Sequence, residues 1–496
     1  MYDEYEYKQY IRKFATCDVL QHYAKESINI YNSTENNVKF ENIAVYNKKT
    51  GLKSGVHQIH IAQWDLLEIC FNSIKYSNDY RNVEIDKNAH YNMINLTKKR
   101  AEILEQSSGL TQENLFKHLM CIANMEFDLE KIAIKNRFNR IYHIMTNINK
   151  NAKYDQTNKV CYIDFLEMFY KITEFDYDTY IRGYFLICAL VIGTENPDIL
   201  SVIEKIDLDI SIFGISKENL IKLLTFQSKD YEFYKHYDNW NILKYFPIVK
   251  TKKDSRLIIS NLSALLICFS ESMYWTIRNY YCEKGSRDFT SYFGHCFEFY
   301  MNELFETYNI EAEKLEEKNN GKRPDWKLET KKYIFYIEQK AALYPMETRS
   351  IISSKRIDTL NNYVNTNIKK AFIQLNSYEE KSSKIIIRIC LTFETIYFPE
   401  TLQDLVIPKI SLKGETYLNW IVSINEFEKL MYILSSDEDK FNSIINRKIK
   451  LEKTKSKNGR GFDTILSTEQ NDFISNKINY FDNYLKKYLK KYNEDA

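Results

Sequence analysis

Residues 323–343, RPDWKLETKKYIFYIEQKAAL, decide the fold of this chain. The pattern predicts two strands, over 325–328 and 332–343, joined by a turn at 329–331. Side chains alternate along a strand, so Glu338 and Lys340 share one face. Such charges on an otherwise apolar strand are costly to bury without partners. In an antiparallel hairpin Asp325 lies beside Glu338, and two carboxylates and an ammonium gather at one end of the sheet.

Two adjacent carboxylates predict a bound cation. Their mutual repulsion is relieved by a hard divalent ion with oxygen ligands, Mg²⁺ above all and Mn²⁺ as its substitute. Such an ion would hold a phosphate oxygen, activate a water molecule and stabilise the leaving oxygen. Lys340 would orient that water and help to deprotonate it.

The same residues carry a resemblance to a known family. Pro324-Asp325 followed by Glu338-Gln339-Lys340 resembles the signature of the PD-(D/E)xK nuclease superfamily, the restriction-endonuclease-like phosphodiesterases. Upstream, residues 294–298 (GHCFE) resemble a helical G-x-x-F-E element whose Glu often joins the metal site. Downstream, residues 370–375 (KAFIQL) lie on a predicted helix where many relatives carry a Gln that faces the site.

The resemblance covers about residues 290–425 and implies a role for each matching position. Asp325 and Glu338 would be metal ligands, and Lys340 would position the water. Glu298 would be an auxiliary ligand, Gln374 a further residue of the catalytic site, and Gln339 a ligand through its backbone carbonyl alone. The implied fold is an α/β restriction-endonuclease-like core, a mixed sheet flanked by helices.

Proline and the apolar periodicity predict the domain organisation. None of the six prolines falls in the first 196 residues, where apolar side chains recur at three and four. We expect a helical recognition or regulatory region at 1–245, a nuclease-like domain at 246–435 and a basic helical extension at 436–496. Inside the second region the pattern predicts helices at 257–281, 288–308, 355–375 and 426–434, and further strands at 384–393 and 417–423.

Charge limits where a nucleic acid could bind. Lys and Arg number 69 against 67 Asp and Glu, so a polyanion needs a local basic patch. The richest stretch is 446–461, which predicts contacts to the phosphate backbone; the alternative is a solvated loop. Its basic residues are Arg447, Lys448, Lys450, Lys453, Lys455, Lys457 and Arg460. Smaller clusters lie at 250–256 and 486–491.

Cysteine usage and hydropathy indicate the compartment. The nine cysteines form no CxxC pair, and no apolar run reaches the roughly eighteen residues of a membrane helix. We therefore expect a reducing cytoplasmic location and no membrane association. The sequence HQIH at 57–60 has metal-like spacing but no carboxylate partner, which favours a surface or core role.

The leading functional expectation is a magnesium-dependent endonuclease. DNA is favoured over RNA because the superfamily that the chain resembles mostly cuts DNA, and a role in restriction or anti-phage defence is one expectation. The first half would bind a protein partner or a second copy of the chain. The alternatives are an RNA- or tRNA-cleaving toxin-like nuclease and a non-catalytic nucleic-acid-binding or scaffold protein with a degenerate core. The presence of Asp325, Glu338 and Lys340 together disfavours the last.

Overall fold

In the part of the chain that the structure describes, helices surround one five-stranded sheet and two smaller ones. The computed structural model describes residues 4–34, 38–46, 53–81, 83–107, 112–127, 129–152, 160–205, 213–315, 323–345, 356–378, 380, 382–397, 399, 401–402, 417–452 and 461–495.

Helices dominate the first half. They are α1 (Glu4–Ile11), α2 (Thr16–Ser33), α3 (Gln63–Tyr76), α4 (Lys87–Ser107), α5 (Gln112–Phe127), α6 (Lys131–His143), which runs through a π-helical turn (Ile144–Ile148) into α7 (Asn149–Ala152), α8 (Phe165–Thr173), α9 (Tyr177–Thr194), α10 (Ile199–Lys205), α11 (Lys217–Gln227), α12 (Tyr231–Lys235) and α13 (Ile242–Tyr245).

The helices after position 245 match the sequence expectations closely. They are α14 (Leu262–Glu283), α15 (Asp288–Thr307), α16 (Arg356–Tyr363), a π-helical segment (Val364–Lys369), α17 (Lys370–Ser377), α18 (Ile424–Ser436), α19 (Glu438–Glu452), α20 (Phe462–Ile465), a second π-helical segment (Phe473–Lys477) and α21 (Tyr480–Asp495). One predicted start was wrong: Leu257–Ile259 is a strand, and α14 begins only after Asn261, whose side chain accepts a hydrogen bond from the Ala264 N–H.

The strands form a hairpin and two sheets. They are β1 (Val38–Tyr46), β2 (Lys53–Ala62), β3 (Ser228–Lys229), β4 (Ile248–Lys250), β5 (Leu257–Ile259), β6 (Ala312–Lys314), β7 (Trp326–Glu329), β8 (Tyr333–Lys340), β9 (Ile385–Thr392) and β10 (Tyr417–Ser423). The sequence predicted a mostly helical first half and did not predict the β1–β2 hairpin within it. Its signal is a period of two, since Ile59 and Ile61 are buried while the alternating residues Gln58 and His60 are exposed.

The large sheet is mixed, as expected for the α/β class. Its order is β10-β9-β8-β7-β6, with β8, β9 and β10 parallel and β6, β7 and β8 antiparallel. Helices cover both faces. On one face Trp326 packs against Phe305 of α15, and Phe335 packs against Phe441 of α19. On the other, Ile334 and Tyr336 join the apolar side chains of α16 and α17.

Apolar packing crosses the predicted boundaries at 245 and 435. Phe138 of α6 stacks on Phe269 of α14 at 4.7 Å between ring centroids. Phe481 of α21 contacts Phe138 and also Phe185 of α9. The three-stranded sheet pairs β3 with β4 across position 245. The first half, the large sheet and α21 therefore share one core, while the three-part functional division stays a prediction. No described helix combines the length and apolar character that a membrane span requires.

Candidate active site

The hairpin of β7 and β8 brings Asp325 to Glu338. Trp326 pairs with Ile337 in antiparallel register, which places Asp325, the residue before β7, opposite Glu338. The backbone N–H of Gln339 donates a hydrogen bond to Asp325 Oδ2 at 2.7 Å. The register therefore brings these two carboxyl groups together, as the sequence predicted.

Lys340 completes the cluster on the same strand face. Its Nζ lies 2.5 Å from Glu338 Oε1, and Glu338 is only 2% exposed. Burial alone would lower the pKa of Lys340, but the Glu338 carboxylate outweighs burial and raises it. A protonated ammonium orients and stabilises negative charge. This state favours the orienting part of its predicted role over the proton-accepting part.

The paired carboxyl groups are held in an electrostatically costly state. Burial, followed by the charge of Glu338, raises the pKa of Asp325 well above its ordinary value. Burial also raises the pKa of Glu338, although Lys340 partly offsets that effect. Glu338 Oε2 is buried, and among the described residues no N–H or O–H group donates a hydrogen bond to it. The pair therefore favours a shared proton or a bound cation.

This donor set fits Mg²⁺. Among the described residues, no three or more His, Cys, Asp or Glu side chains are gathered closely enough to hold a metal ion. Mg²⁺ is commonly bound through one or two carboxylates, with water and substrate phosphate completing its shell. Asp325 and Glu338 supply that number, and Glu338 Oε2, to which no described group donates a hydrogen bond, is available as an oxygen ligand.

Glu298 lies near the pair but is engaged elsewhere. On α15, its carboxylate is 2.7 Å from Lys314 Nζ of β6 and 3.8 Å from His295 Nδ1. Burial raises its pKa, but hydrogen bonds to these two groups outweigh burial and lower it. Its negative charge contributes to the raised pKa of both Asp325 and Glu338. Glu298 is thus an ionised neighbour of the site. Lys314, which holds it, was not identified from the sequence because nothing marks this lysine among many.

The two glutamines have structural contacts at the site. Gln374 Nε2 of α17 donates to the backbone carbonyl of Arg323 at 2.8 Å and so holds the segment that leads into Asp325. Gln339 accepts a hydrogen bond from Trp326 Nε1 at 3.1 Å, while its own N–H binds Asp325. Gln374 therefore contacts the backbone before Asp325, and its predicted place in the catalytic site stays a prediction.

One predicted phosphate contact was wrong. Lys448 is 2% exposed, pairs with Glu452 at 2.8 Å and lies beside the Trp420 and Phe462 rings. Its ammonium does not face solvent, because Lys448 falls on the inner face of α19. The number of basic residues in a stretch of sequence does not show which of them lie on the buried side of a helix.

The other described members of that stretch lie far from the carboxylates. Arg447 and Lys450 are exposed and, with Lys332, line a groove of about 430 Å³. Lys332 precedes β8 and Lys340 ends it, a separation of roughly 26 Å at about 3.3 Å per residue. Lys453, Lys455, Lys457 and Arg460 lie outside the described residues. In the 250–256 cluster, Lys252 pairs with Glu232 and Arg256 with Asp254.

Comparison with family models, with curated proteins and with solved structures gives no match to this chain. The functional conclusion therefore depends on the geometry of the cluster.

Proposed function

We propose that the chain is a metal-dependent nuclease that hydrolyses phosphodiester bonds, DNA above all, at the Asp325–Glu338–Lys340 cluster. The observation that carries the proposal is a buried pair of carboxyl groups with raised pKa values, one of them with an unpartnered oxygen, beside a protonated lysine. A purely structural ion pair would need one carboxylate for Lys340, and a second carboxyl group that repels the first would only destabilise it.

Each residue has a role that its contacts support. Asp325 and Glu338 would hold Mg²⁺, which when bound supplies positive charge to the scissile phosphate and lowers the pKa of a coordinated water. The Gln339 N–H fixes the Asp325 carboxylate, and Gln374 fixes the backbone before it. Lys340 orients the attacking water and stabilises the charge that develops on the phosphate.

The arrangement around the cluster supports the family resemblance. A helix that carries Glu298 precedes the hairpin, and α16 and α17 separate β8 from the parallel strand β9. This is the mixed, helix-flanked sheet that the resemblance implies. Along the chain the order of these elements is helix, two strands, helix and strand, the order that the sequence predicted.

Contacts from the first half support a regulatory role for that region. Met120 and Cys121 of α5 join the apolar cluster of α16, on the sheet face that carries Glu338. Arg137 of α6 lies 3.2 Å from Glu394, which accepts a hydrogen bond from the Tyr344 N–H just beyond Lys340. A partner that moves α5 or α6 would thereby act on the strand ends of the site.

A cleavage assay tests the proposal. The purified full chain is incubated with plasmid, linear duplex and RNA, in Mg²⁺ or Mn²⁺ and in chelator. Asp325→Asn, Glu338→Gln and Lys340→Met should abolish cleavage. Lys327→Gln is the matched control, since Lys327 lies on the neighbouring strand and pairs with Glu380 away from the cluster. Cleavage that survives all three substitutions, in variants that unfold at the temperature of the parent, would overturn the assignment; preference for RNA would support the alternative substrate.

A further inference from the structure

A second cluster of polar side chains lies in the first half, away from the candidate nuclease site. An open cavity of about 540 Å³ is lined by side chains from α2, β1 and α4 and from the segment before α4. They include His22, Glu26, Glu41, His90 and Tyr91. Neither the hairpin motif nor the basic stretches account for this cavity.

The two histidines face each other at its wall. His22 Nε2 lies 3.0 Å from His90 Nδ1. Two nitrogens bound to one zinc ion, at about 2.0 to 2.1 Å each and at roughly 90° to 110°, are about 2.9 to 3.4 Å apart. The facing nitrogens therefore already have the spacing of two neighbouring metal ligands.

Both rings are kept neutral, the form that binds metal. Burial, followed by the nearby His90, lowers the pKa of His22 to about 4, and burial lowers the pKa of His90. Between two neutral rings one N–H donates to the other nitrogen. When that proton moves to the outer nitrogen of its ring, both facing nitrogens offer lone pairs.

Carboxylates stand beside the rings. Glu26 lies one helical turn after His22 on α2, so both side chains occupy one helix face. Its Oε1 is 2.9 Å from Lys39 Nζ, and the same ammonium is 2.6 Å from Glu41 Oε1. Among the described residues no third ligand yet joins the two rings closely enough to complete a metal site. Glu26 is close enough to both rings that its charge acts on their pKa values, and to bind the ion it would leave Lys39, which is partly exposed.

We infer that His22 and His90, with Glu26 as third ligand, bind a divalent ion of the zinc class. Imidazole and carboxylate ligands suit Zn²⁺ and its neighbours in the first transition row better than Mg²⁺. The cavity leaves room for water as the fourth ligand. The ion would join α2 to α4 and stabilise the first half.

Metal titration of the full chain tests the site. To exclude binding at the candidate nuclease site, all variants carry Glu338→Gln. We expect that background protein to bind one equivalent of Zn²⁺ by calorimetry, and His22→Gln and His90→Gln to bind at least about tenfold more weakly. Glu26→Gln should weaken binding too and should fold normally, because Glu26 is partly exposed. His236→Gln, at an exposed histidine after α12, should bind like the background.

Two further measurements separate the outcomes. Co²⁺ should give the absorption of nitrogen and oxygen ligands without a thiolate charge-transfer band. That band would instead indicate binding at a cysteine, and Cys161 and Cys282 are exposed while the other seven cysteines are buried. Zn²⁺ should raise the melting temperature of the background protein and not that of His22→Gln. Absence of saturable binding, a thiolate band, or equal affinity in the histidine variants would overturn the inference.

Discussion

Arg140 of α6 and Glu428 of α18 form a buried, bidentate ion pair. Arg140 Nε lies 2.8 Å from Glu428 Oε1, and its second nitrogen lies 2.6 Å from Oε2. Glu428 is fully buried and also accepts a hydrogen bond from Tyr300 of α15. The pair therefore fastens the first half of the chain to the helix that follows β10.

Removing one partner should destabilise the protein strongly. Arg140→Met leaves the Glu428 charge buried and unpaired, which typically costs about 3 to 5 kcal/mol. We expect a loss of that size in the free energy of unfolding, measured by urea denaturation. The double variant Arg140→Met/Glu428→Leu should recover part of it. If the single variant is as stable as the parent, the pair does not hold the two halves together.

The raised pKa values predict that the site opposes stability at high pH. A group whose pKa is raised on folding stabilises the fold below its unfolded pKa and loses that contribution as pH rises through its folded pKa. Asp325→Asn removes this loss. Its free energy of unfolding relative to the parent should therefore increase as pH rises above the ordinary carboxyl pKa of about 4, measured by denaturation in chelator. An unchanged difference would mean that the carboxyl pair is not proton-linked to folding.

The same carboxyl groups should couple metal binding to proton release. Mg²⁺ must displace the proton that the raised pKa values retain. Apparent metal affinity should therefore rise with pH, and calorimetry in buffers of different ionisation enthalpy should show proton release. Glu338→Gln should weaken both effects without removing them, because burial still raises the pKa of Asp325. Affinity independent of pH would argue against a shared proton in the metal-free site.

Lys340 should affect the chemical step more than metal binding. Replacing it with Met removes the ammonium that orients water and stabilises the developing charge, and the loss of one such preorganised group typically lowers the rate by about 10² to 10³. We expect a fall of that size in the single-turnover rate with little loss of metal affinity. If the rate of Lys340→Met in Mg²⁺ falls as far as the rate of the parent does in chelator, the lysine is instead needed for metal binding.

The position of Arg447 and Lys450 predicts a length-dependent contribution to binding. They lie near the start of β8, so a duplex with a rise of about 3.4 Å per base pair needs about eight pairs to cover the roughly 26 Å to Lys340. Arg447→Gln/Lys450→Gln should flatten the salt dependence for long duplexes and leave six-pair duplexes unaffected. If the double variant instead weakens the binding of six-pair duplexes and leaves that of long duplexes unchanged, the substrate does not run from Lys340 to Arg447 and Lys450.

Much of the sheet region followed from the sequence because its signals are local. Period-two apolar runs and a short turn predicted the strand pair, and one register then places Asp325 against Glu338. Lys448 was misassigned because burial depends on what packs against α19, and that information comes from Trp420 and Phe462, distant in sequence. The His22–His90 contact joins residues 68 positions apart with no motif between them.

The π-helical segment Val364–Lys369 has a consequence for how α17 is set against the sheet. A π turn accommodates one residue more than an α turn, and each residue of an α-helix advances about 100° around its axis. If the same six residues wound as regular α-helix, everything after them would be rotated around the helix axis by about that angle. Gln374 would leave the Arg323 carbonyl while Phe372 and Leu375 turned out of the core. The π turn thus sets the rotation of α17 about its axis. In that orientation its apolar side chains face the core while Gln374 reaches the Arg323 carbonyl.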